Sequence, residues 1–385
     1  MLCNKNECTG CFSCFNACPK GAIEMKEDKC GFVYPAINND KCINCKLCEK
    51  SCPVLNKIEL NKPRKCYAGR VRDNQDLKKA TSGGIATQLS KKILEENGVV
   101  YGASFTSNCE VSHIRVDNEY ELDKLRGSKY VHSYVNNTYK LVKKDLNDGK
   151  KVLFVGTPCQ IAGLKKYLLK EYSNLYTVDV ICHGVPSQQF LKDEVKRLEK
   201  NINIDKVNFR DKKFDEYTFS IVKNNKDEFY ENWTKSPYFY SFMVSIIYRE
   251  NCYNCRYATD KRCSDLTIGD FWGLKEDSTF YKDRKKGVSV LLPCTDKGIE
   301  LIKSIQNDIE LEERDVNEAI EGNDQLRRPA IQSKKAKDFR SNYNGDFYKT
   351  YRKVMKIHYY KQKLKSNKFI GKILEIRKGI RNEYK

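Results

Sequence analysis

The sequence has 385 residues, of which 40% are hydrophobic, and it contains 18 cysteines. This length excludes a ferredoxin-sized protein and predicts two or three domains, while no apolar run reaches the 18 residues of a membrane-spanning helix. The net charge of +20 is concentrated in residues 331–385, which hold 17 Lys and Arg against 4 Asp and Glu. The rest is mildly basic and has no recognised nucleic-acid-binding motif, so we expect no nucleic-acid partner.

Eight cysteines near the N terminus form two copies of one pattern, displaced by 34 residues. Three cysteines at C-x2-C-x2-C spacing wrap around three corners of a [4Fe–4S] cluster, and the fourth, which precedes a proline, ligates the other cluster. The pattern therefore predicts two clusters with exchanged fourth ligands. The first takes Cys8, Cys11, Cys14 and Cys52, and the second takes Cys42, Cys45, Cys48 and Cys18.

The alternatives for these cysteines need features that the pattern lacks. A structural zinc site would use two separate C-x2-C pairs, and a disulfide framework would need an oxidising compartment. Cluster-binding thiolates require a reducing compartment, and Met1 is not followed by a charged and apolar leader. We therefore expect a cytoplasmic protein that carries electrons.

A new domain is predicted after the linker at residues 62–65, opening with a strand at 66–71. The turn Thr81-Ser82-Gly83-Gly84 precedes a helical pattern that begins at Ile85, and the unpaired N–H groups at such a helix start favour an anion. The loop Arg126-Gly127-Ser128-Lys129-Tyr130 places two cations beside a glycine and suits a phosphate or carboxylate, although it is also compatible with a surface turn.

Two strand–turn–helix units follow in succession. Residues 151–159 read as a buried strand that ends in Gly156-Thr157-Pro158-Cys159, and residues 175–181 as a strand that runs into Cys182-His183-Gly184. This succession predicts an α/β sheet with ligands at the carboxyl ends of its strands. Both turns place a cysteine at that edge.

A third cluster is our hypothesis for the body of the protein. Cys252-x2-Cys255 supplies half of a site, and its remaining ligands would come from Cys159 and Cys182, or from Cys263. An oxidisable dithiol or a zinc site is the alternative. The other cysteines, and two of the histidines, are interpreted as structural residues; they are Cys3, Cys30, Cys66, Cys109, Cys294, His113 and His132.

Six motifs in order resemble the beta subunit family of coenzyme F420-reducing hydrogenases and dehydrogenases, over residues 65–275. They are Thr81-Ser82-Gly83-Gly84, Arg126-Gly127-Ser128-Lys129-Tyr130, Gly156-Thr157-Pro158-Cys159-Gln160, Cys182-His183-Gly184-Val185-Pro186-Ser187, Cys252-x2-Cys255 and Ile268-Gly269-Asp270-Phe271-Trp272-Gly273. Some members of the family also carry a fused two-cluster ferredoxin module.

The resemblance implies a flavoprotein that holds FAD near a [4Fe–4S] cluster and exchanges electrons with a redox partner, either ferredoxin or a hydrogenase or dehydrogenase subunit. Carried onto this sequence, it gives the FAD-binding candidates Ser82, Gly83, Gly84, Arg126, Ser128, Lys129, Gly156, Thr157, Pro158 and Asp270. It makes Cys159, Cys182, Cys252 and Cys255 the expected ligands of the third cluster, with Cys263 in reserve. His183, beside a ligand candidate, is the catalytic candidate.

The resemblance does not select a substrate, because motifs that hold cofactors do not define what a protein acts on. The family includes deazaflavin-reducing subunits, a chlorophyll-tailoring reductase branch and bacterial members associated with surface-polysaccharide genes. We therefore expect an iron–sulfur flavoprotein oxidoreductase that acts on a deazaflavin-like or other organic molecule. The alternative is a non-catalytic electron-relay subunit of a larger complex.

The expected architecture is a ferredoxin-like two-cluster module at residues 1–60 and a mixed α/β flavin-binding body. The body is divided at residue 150 into an N-terminal part, 64–150, and a C-terminal part, 151–330. Residues 331–385 form a basic helical tail, interpreted as a solvated appendage. The apolar residues Phe369, Ile370, Ile373, Leu374 and Ile380 offer peripheral contact with an anionic membrane as an alternative for this tail.

Overall fold

The computed structural model describes residues 2–199, 203–211 and 217–366. Its strands are β1 (Ile23–Glu27), β2 (Val33–Ile37), β3 (Cys66–Val71), β4 (Val99–Phe105), β5 (Val111–Val116), β6 (Val152–Gly156), β7 (Leu175–Val180), β8 (Lys206–Asn208), β9 (Thr218–Lys223), β10 (Lys226–Asn232), β11 (Leu266–Asp270), β12 (Ser289–Pro293) and β13 (Ile309–Arg314). Its α-helices are α1 (Ser13–Ala17), α2 (Leu47–Lys50), α3 (Asn74–Lys79), α4 (Ile85–Glu95), α5 (Thr138–Asn147), α6 (Pro158–Leu168), α7 (Gln188–Glu199), α8 (Pro237–Met243), α9 (Asp296–Ser304), α10 (Val316–Gly322), α11 (Lys334–Asn342), α12 (Phe347–Val354) and α13 (Lys356–Ser366). Short 3-10 helices lie at Ser107–Cys109, Glu119–Leu125, Glu250–Asn254, Arg284–Lys286 and Asp324–Leu326.

An eight-stranded mixed sheet organises the body, in the order β13-β3-β12-β11-β7-β6-β4-β5. Its centre is parallel, because β4, β6, β7 and β11 run the same way, while the outer strands pair antiparallel. Helices α4 and α9 cover one face, and α5 and α6 cover the other. The carboxyl ends of the four parallel strands therefore meet at one edge, where an open α/β sheet binds its ligands.

The N-terminal module keeps its repeat at the level of the backbone. Gly10 and Asn44, 34 residues apart, both have left-handed φ values of 64° and 54°. Phe12 and Lys46, related by the same shift, precede α1 and α2 with φ values of 64° and 58°. A left-handed conformation costs a side chain such as Phe or Lys about 1–2 kcal/mol. Its recurrence at matching positions indicates that both cysteine loops are built to one geometry.

The described part of the C-terminal basic segment, up to residue 366, is helical, as expected, but its first two helices are not a solvated appendage. Phe339, Tyr343 and Phe347 are buried and their rings pack against Phe190 of α7. The charge count concealed this arrangement because the lysines of α11 and α12 lie on the opposite, exposed faces. The apolar residues proposed for membrane contact, from Phe369 to Ile380, lie outside the described residues. Among the described helices, none is long and apolar enough to span a membrane.

A three-stranded antiparallel sheet, ordered β10-β9-β8, lies between α7 and α8 and was not predicted. Phe209, Phe219 and Ile221 are buried in the same core as the aromatic helix α8 and the C-terminal helices. The aromatic run at 237–243 therefore serves as core packing around this small sheet.

Candidate functional site

The eight N-terminal cysteines line two small separate cavities. Cys8, Cys11, Cys14 and Cys52 line the first, and Cys18, Cys42, Cys45 and Cys48 line the second. Each cavity thus combines three cysteines of one motif with the Cys-Pro cysteine of the other. This grouping has the chemistry that a [4Fe–4S] cluster requires, namely four thiols from two loops. We call the two sets the inner thiols and the outer thiols.

Burial distinguishes the two sets. The inner thiols are all buried, whereas Cys45 is exposed and the other outer thiols are partly exposed. The difference arises because α1, which lies within the first motif and contains Cys14, packs on α5 and α6 of the body. The inner set therefore faces the body and the outer set faces solvent.

Cys3 differs from the structural role expected of it. Its thiol contacts Cys8 and Cys52, and it lines the cavity of the inner thiols. The other four cysteines assigned to the core are buried as expected; they are Cys30, Cys66, Cys109 and Cys294. Cys3 stands outside the repeated motif, so the spacing rule gave no signal for it.

A third group of thiols forms where the two strand–turn–helix units meet the C-x2-C pair. Burial raises the pKa of Cys159, and the neighbouring Cys182 and Cys255 raise it further. Burial also raises the pKa of Cys182 above the usual thiol range, and the neighbouring thiols of Cys252 and Cys255 raise it further. The structure therefore brings together the four cysteines expected from the family motifs. We call Cys159, Cys182, Cys252 and Cys255 the body thiols.

Cys263 lies outside this group. Its thiol donates a hydrogen bond to the carbonyl oxygen of Pro158 at 3.2 Å, and its neighbours are Asp179 and Arg262. No three His, Cys, Asp or Glu side chains of the described residues lie as close together as the ligands of a single metal ion. A [4Fe–4S] cluster separates its thiolates further, because each one binds a different iron.

Helix α6 connects the inner thiols to the body thiols. Cys159 lies in its first turn and Gly163 lies one turn later on the same face, about 6 Å away. A Cβ atom on Gly163 would lie 2.9 Å from Cβ and 3.0 Å from Sγ of Cys11. The absence of a side chain at Gly163 thus lets the ferredoxin module sit directly on the helix that carries Cys159.

Arg249 joins the two parts of the chain from the other side. Its guanidinium is fully buried and donates to the backbone oxygens of Cys8 at 2.7 Å and Val33 at 2.9 Å. Its own carbonyl accepts from the N–H of Cys252 at 3.0 Å. Contact with Cys3 and the positive charge of Arg249 lower the pKa of Cys8 to about 6, although burial opposes this effect. Nothing in the sequence pattern identified Arg249.

A cavity of about 340 Å³ opens at the carboxyl edge of the parallel strands. Most of the residues that the family motifs suggested for FAD line it, together with one body thiol and the catalytic candidate. These lining residues are Ser82, Gly84, Arg126, Ser128, Lys129, Gly156, Thr157, Asp270, Cys182 and His183. Segments more than 180 residues apart in sequence therefore converge on one space.

Gly83 and Pro158 are FAD candidates that do not line this cavity. Gly83 donates its N–H to Ser289 Oγ at 3.0 Å, and a Cβ there would lie 2.4 Å from the carbonyl oxygen of Gly69. A side chain at this position would clash with the backbone, because Gly83 packs between β3 and β12, and its assignment as a flavin contact stays a prediction. Pro158 is buried at the first position of α6.

The two cations of the 126–130 loop are less available than the sequence suggested. Lys129 Nζ donates to the carbonyl oxygens of Leu125 at 2.9 Å and Arg126 at 2.7 Å, and burial lowers its pKa to about 7. Arg126 forms ion pairs with Asp76 at 2.8 Å and Asp123 at 2.6 Å. Its buried Nη1 atom, however, has no hydrogen-bond partner in the described part of the chain. This N–H group remains available to an acceptor on a ligand.

Two further lining residues differ in their environment. Asp270 accepts from Arg210 at 2.5 Å, so its carboxylate is already paired with a mostly buried cation. The side chain of His183 is exposed to the cavity and follows Cys182 directly. His183 is therefore a titratable side chain on the wall of the cavity.

His113 and His132 are buried, as expected for structural histidines. His113 is held between Ser133 Oγ at 2.8 Å and the carbonyl oxygen of Val155 at 3.1 Å, which suits a neutral ring. Burial lowers the pKa of His113 to about 4. Burial, with the nearby charge of Arg249, lowers the pKa of His132 to about 3.

Acidification from pH 7.5 to pH 5.5 should therefore lower the free energy of unfolding by about 3 kcal/mol from these two histidines. The unfolded chain binds a proton on each as the pH falls below 6.5, while the folded chain binds none until about pH 4. The contribution of the two neutral histidines to the free energy of unfolding is complete above pH 6.5 and is lost as the pH falls. Urea denaturation of the anaerobic protein at both pH values measures it. In His113→Gln about half of the loss should disappear, and an unchanged pH dependence in that variant would contradict the assignment.

These features define a class of protein. A ferredoxin-type pair of thiol sets, a further set in the body and a ligand cavity at a sheet edge are the parts of an iron–sulfur electron-transfer protein of the oxidoreductase type. Residues 7–56 match the model of the 4Fe–4S dicluster domain. Residues 66–140 and 149–319 match the N-terminal and C-terminal models of the coenzyme F420 hydrogenase/dehydrogenase beta subunit. The chain belongs to this family, as its motifs indicated.

Two curated relatives come from Methanocaldococcus jannaschii. The chain is 25% identical over 367 residues to a coenzyme F420-dependent sulfite reductase, covering 89% of this chain and 52% of that protein. It is 35% identical over 68 residues to an uncharacterised ferredoxin, covering 17% of this chain and 84% of that protein. The chain thus spans about half the length of the reductase.

Among solved structures, a chain of the F420-reducing [NiFe] hydrogenase complex from Methanosarcina barkeri, in a xenon derivative, is similar to this one. The TM-score is 0.48 at 19% identity, and the match covers 69% of this chain and 91% of that chain.

Proposed function

We propose that this chain is an iron–sulfur flavoprotein that transfers electrons between a redox partner and an organic substrate, through three [4Fe–4S] clusters and one FAD. One observation carries the proposal. Cys182 is both a member of the body thiols and part of the lining of the cavity where the flavin candidates converge. A cluster held there would touch the space in which a flavin would bind.

The chain's own residues supply a continuous route. The outer thiols would hold the cluster nearest to solvent, and the inner thiols the next one. Helix α6, which contacts Cys11 through Gly163 and carries Cys159, leads to the body thiols. The protein matrix between these sets is buried and closely packed, which fixes the cluster positions and excludes water.

The cavity has groups that fit a dinucleotide flavin. Arg126 Nη1 is an unpaired buried donor at its wall, and a diphosphate oxygen would satisfy it. Ser82 and Ser128 add short polar side chains to the lining. When bound, FAD supplies the conversion between single electrons from clusters and the hydride chemistry of an organic substrate.

The substrate is proposed to be an organic hydride carrier of the deazaflavin type, because the sulfite reductase relative depends on coenzyme F420, as its name states. His183 would give or take the proton that accompanies two electrons, because its side chain reaches the cavity beside Cys182. The Asp270–Arg210 pair would position a polar group of that substrate.

Cofactor analysis of protein purified without oxygen tests the proposal. Three clusters and one flavin correspond to about twelve irons, about twelve inorganic sulfides and about one FAD per chain. Reduction of the bound flavin by a deazaflavin or nicotinamide carrier, followed by its absorbance, then identifies the substrate class.

About eight irons and no flavin would contradict this proposal. That result would favour the relay-subunit alternative, in which the chain only conducts electrons inside a larger assembly. The observation that the chain spans about half of its reductase relative gives this alternative its support.

A further inference from the structure

The surface around the outer thiols differs from the rest of the ferredoxin module. Cys45 is exposed, and two large apolar side chains of the same cysteine loop are also exposed, with Ile43 at 57% and Leu47 at 38%. The equivalent of Leu47 in the first motif, Ser13, is completely buried, and its hydroxyl donates to the carbonyl oxygen of Ser51 at 2.7 Å. The second copy of the repeat thus exposes to solvent a position that is buried in the first copy.

Positive charge surrounds these apolar side chains. Lys20, Lys41, Lys46 and Lys50 are all exposed, and Lys20 and Lys46 line the cavity of the outer thiols. None of the four forms an ion pair with any residue that the structure describes. The nearby acidic residues are Asp40 and Glu49. Lysines thus outnumber carboxylates two to one around the exposed thiols.

We infer that this surface, the outer port, docks an acidic ferredoxin that exchanges electrons with the cluster of the outer thiols. The inference rests on the proposed function and specifies its redox partner. Apolar side chains at the centre and unpaired lysines at the edge suit a transient complex with an acidic partner, since charge steers the encounter and the apolar centre allows close contact. One electron passes in each encounter: the ferredoxin is oxidised, the outer cluster is reduced, and no covalent bond changes.

The test is the rate at which a reduced acidic two-[4Fe–4S] ferredoxin reduces the clusters of the full-length protein, followed by stopped-flow absorbance. The triple variant Lys20→Glu, Lys41→Glu, Lys50→Glu should lower the second-order rate constant at least about tenfold at low ionic strength. Lys46 is left unchanged because its backbone has the left-handed conformation that shapes the cysteine loop. The rate constant of the parent protein should fall steeply with added salt, and that of the variant should not.

A matched control carries the same change in charge elsewhere. Lys282, Lys285 and Lys303 are exposed, and all three lie in the segment between β11 and β13. Their triple replacement by Glu should leave the rate constant within about twofold of the parent. Equal slowing of both triple variants would show that net charge alone matters and would overturn the outer port.

Two measurements distinguish a loss of docking at the outer port from a loss of clusters. Because Lys20 lines the cavity of the outer thiols, the double variant Lys41→Glu, Lys50→Glu is measured as well. Its iron content and its reduction by dithionite, a small molecule that needs no docking surface, should be unchanged, while its reduction by ferredoxin should still be slower than that of the parent protein. A parent rate constant that is unaffected by salt and by these substitutions would contradict the port even if the flavin proposal holds. Absence of flavin would contradict the proposed function, but reduction of the clusters by ferredoxin would still measure docking.

Discussion

Replacement of Cys252 by Ser should remove one cluster from the protein while the other two remain. We expect the iron content to fall from about twelve to about eight per chain, because Cys252 would ligate one corner of the cluster of the body thiols. Electron flow from reduced ferredoxin to the flavin should fall to background, since the body thiols adjoin the cavity through Cys182. Iron analysis, electron paramagnetic resonance of the reduced protein and the rate of flavin bleaching measure the three effects.

Cys263 provides the matched control for this prediction. It is buried, follows Cys255 by eight residues and donates its S–H to a carbonyl oxygen, so Cys263→Ser makes the same chemical change outside the body thiols. We expect this variant to retain about twelve irons. If Cys252→Ser also retained its iron and its rate of flavin reduction, the third cluster would be refuted. The double variant with Cys255→Ser excludes rescue by a serine ligand.

Replacement of Asp179 by Ala should lower the free energy of unfolding by about 3–5 kcal/mol. Asp179 Oδ1 accepts from Arg262 Nη2 at 2.9 Å, and the two side chains are 0% and 1% exposed. Without the carboxylate, a guanidinium stays buried without a counter-charge. Asp179 lies three residues before Cys182, and Arg262 lies seven residues after Cys255, so the pair also ties two cysteine-bearing segments together. Denaturant unfolding and iron content should both report the loss.

An exposed ion pair of equal length is the control. Lys65 and Glu313 are also 2.9 Å apart, but their side chains are 46% and 58% exposed. Glu313→Ala should change the free energy of unfolding by less than about 1 kcal/mol, because water screens this pair. The two variants thus differ in burial rather than in distance. A comparable effect of both would contradict the role assigned to burial.

The local features of the fold were predicted well from the sequence. Strand β3 was expected at 66–71, where it lies, strand β7 was expected at 175–181 and lies at 175–180, and α4 begins at Ile85, as its pattern indicated. These segments have strong periodicity and clear turns at their ends. The sheet of β8, β9 and β10 was missed because β8 has only three residues and β10 is rich in charged residues, which disfavour a strand assignment.

The groupings of cysteines followed from spacing, because one short loop determines which thiols converge. The motifs identified most of the residues that line the cavity. They did not indicate which of these side chains are free to contact a ligand. The hydrogen bonds of Lys129 to nearby carbonyl oxygens and the packing of Gly83 against Gly69 depend on tertiary contacts that no local pattern records. Arg249 shows the limit most clearly, since its partner Cys8 lies 241 residues away.

The position of Arg249 also sets an order for biosynthesis. The inner thiols of the first motif leave the ribosome early, but Arg249, which donates to the backbone of Cys8, follows more than 200 residues later. At roughly 5–20 residues per second, this interval lasts on the order of 10–50 seconds. During that time the first motif is open to the cellular machinery that delivers iron and sulfide. We therefore expect the inner cluster to be inserted before Arg249 binds the first motif.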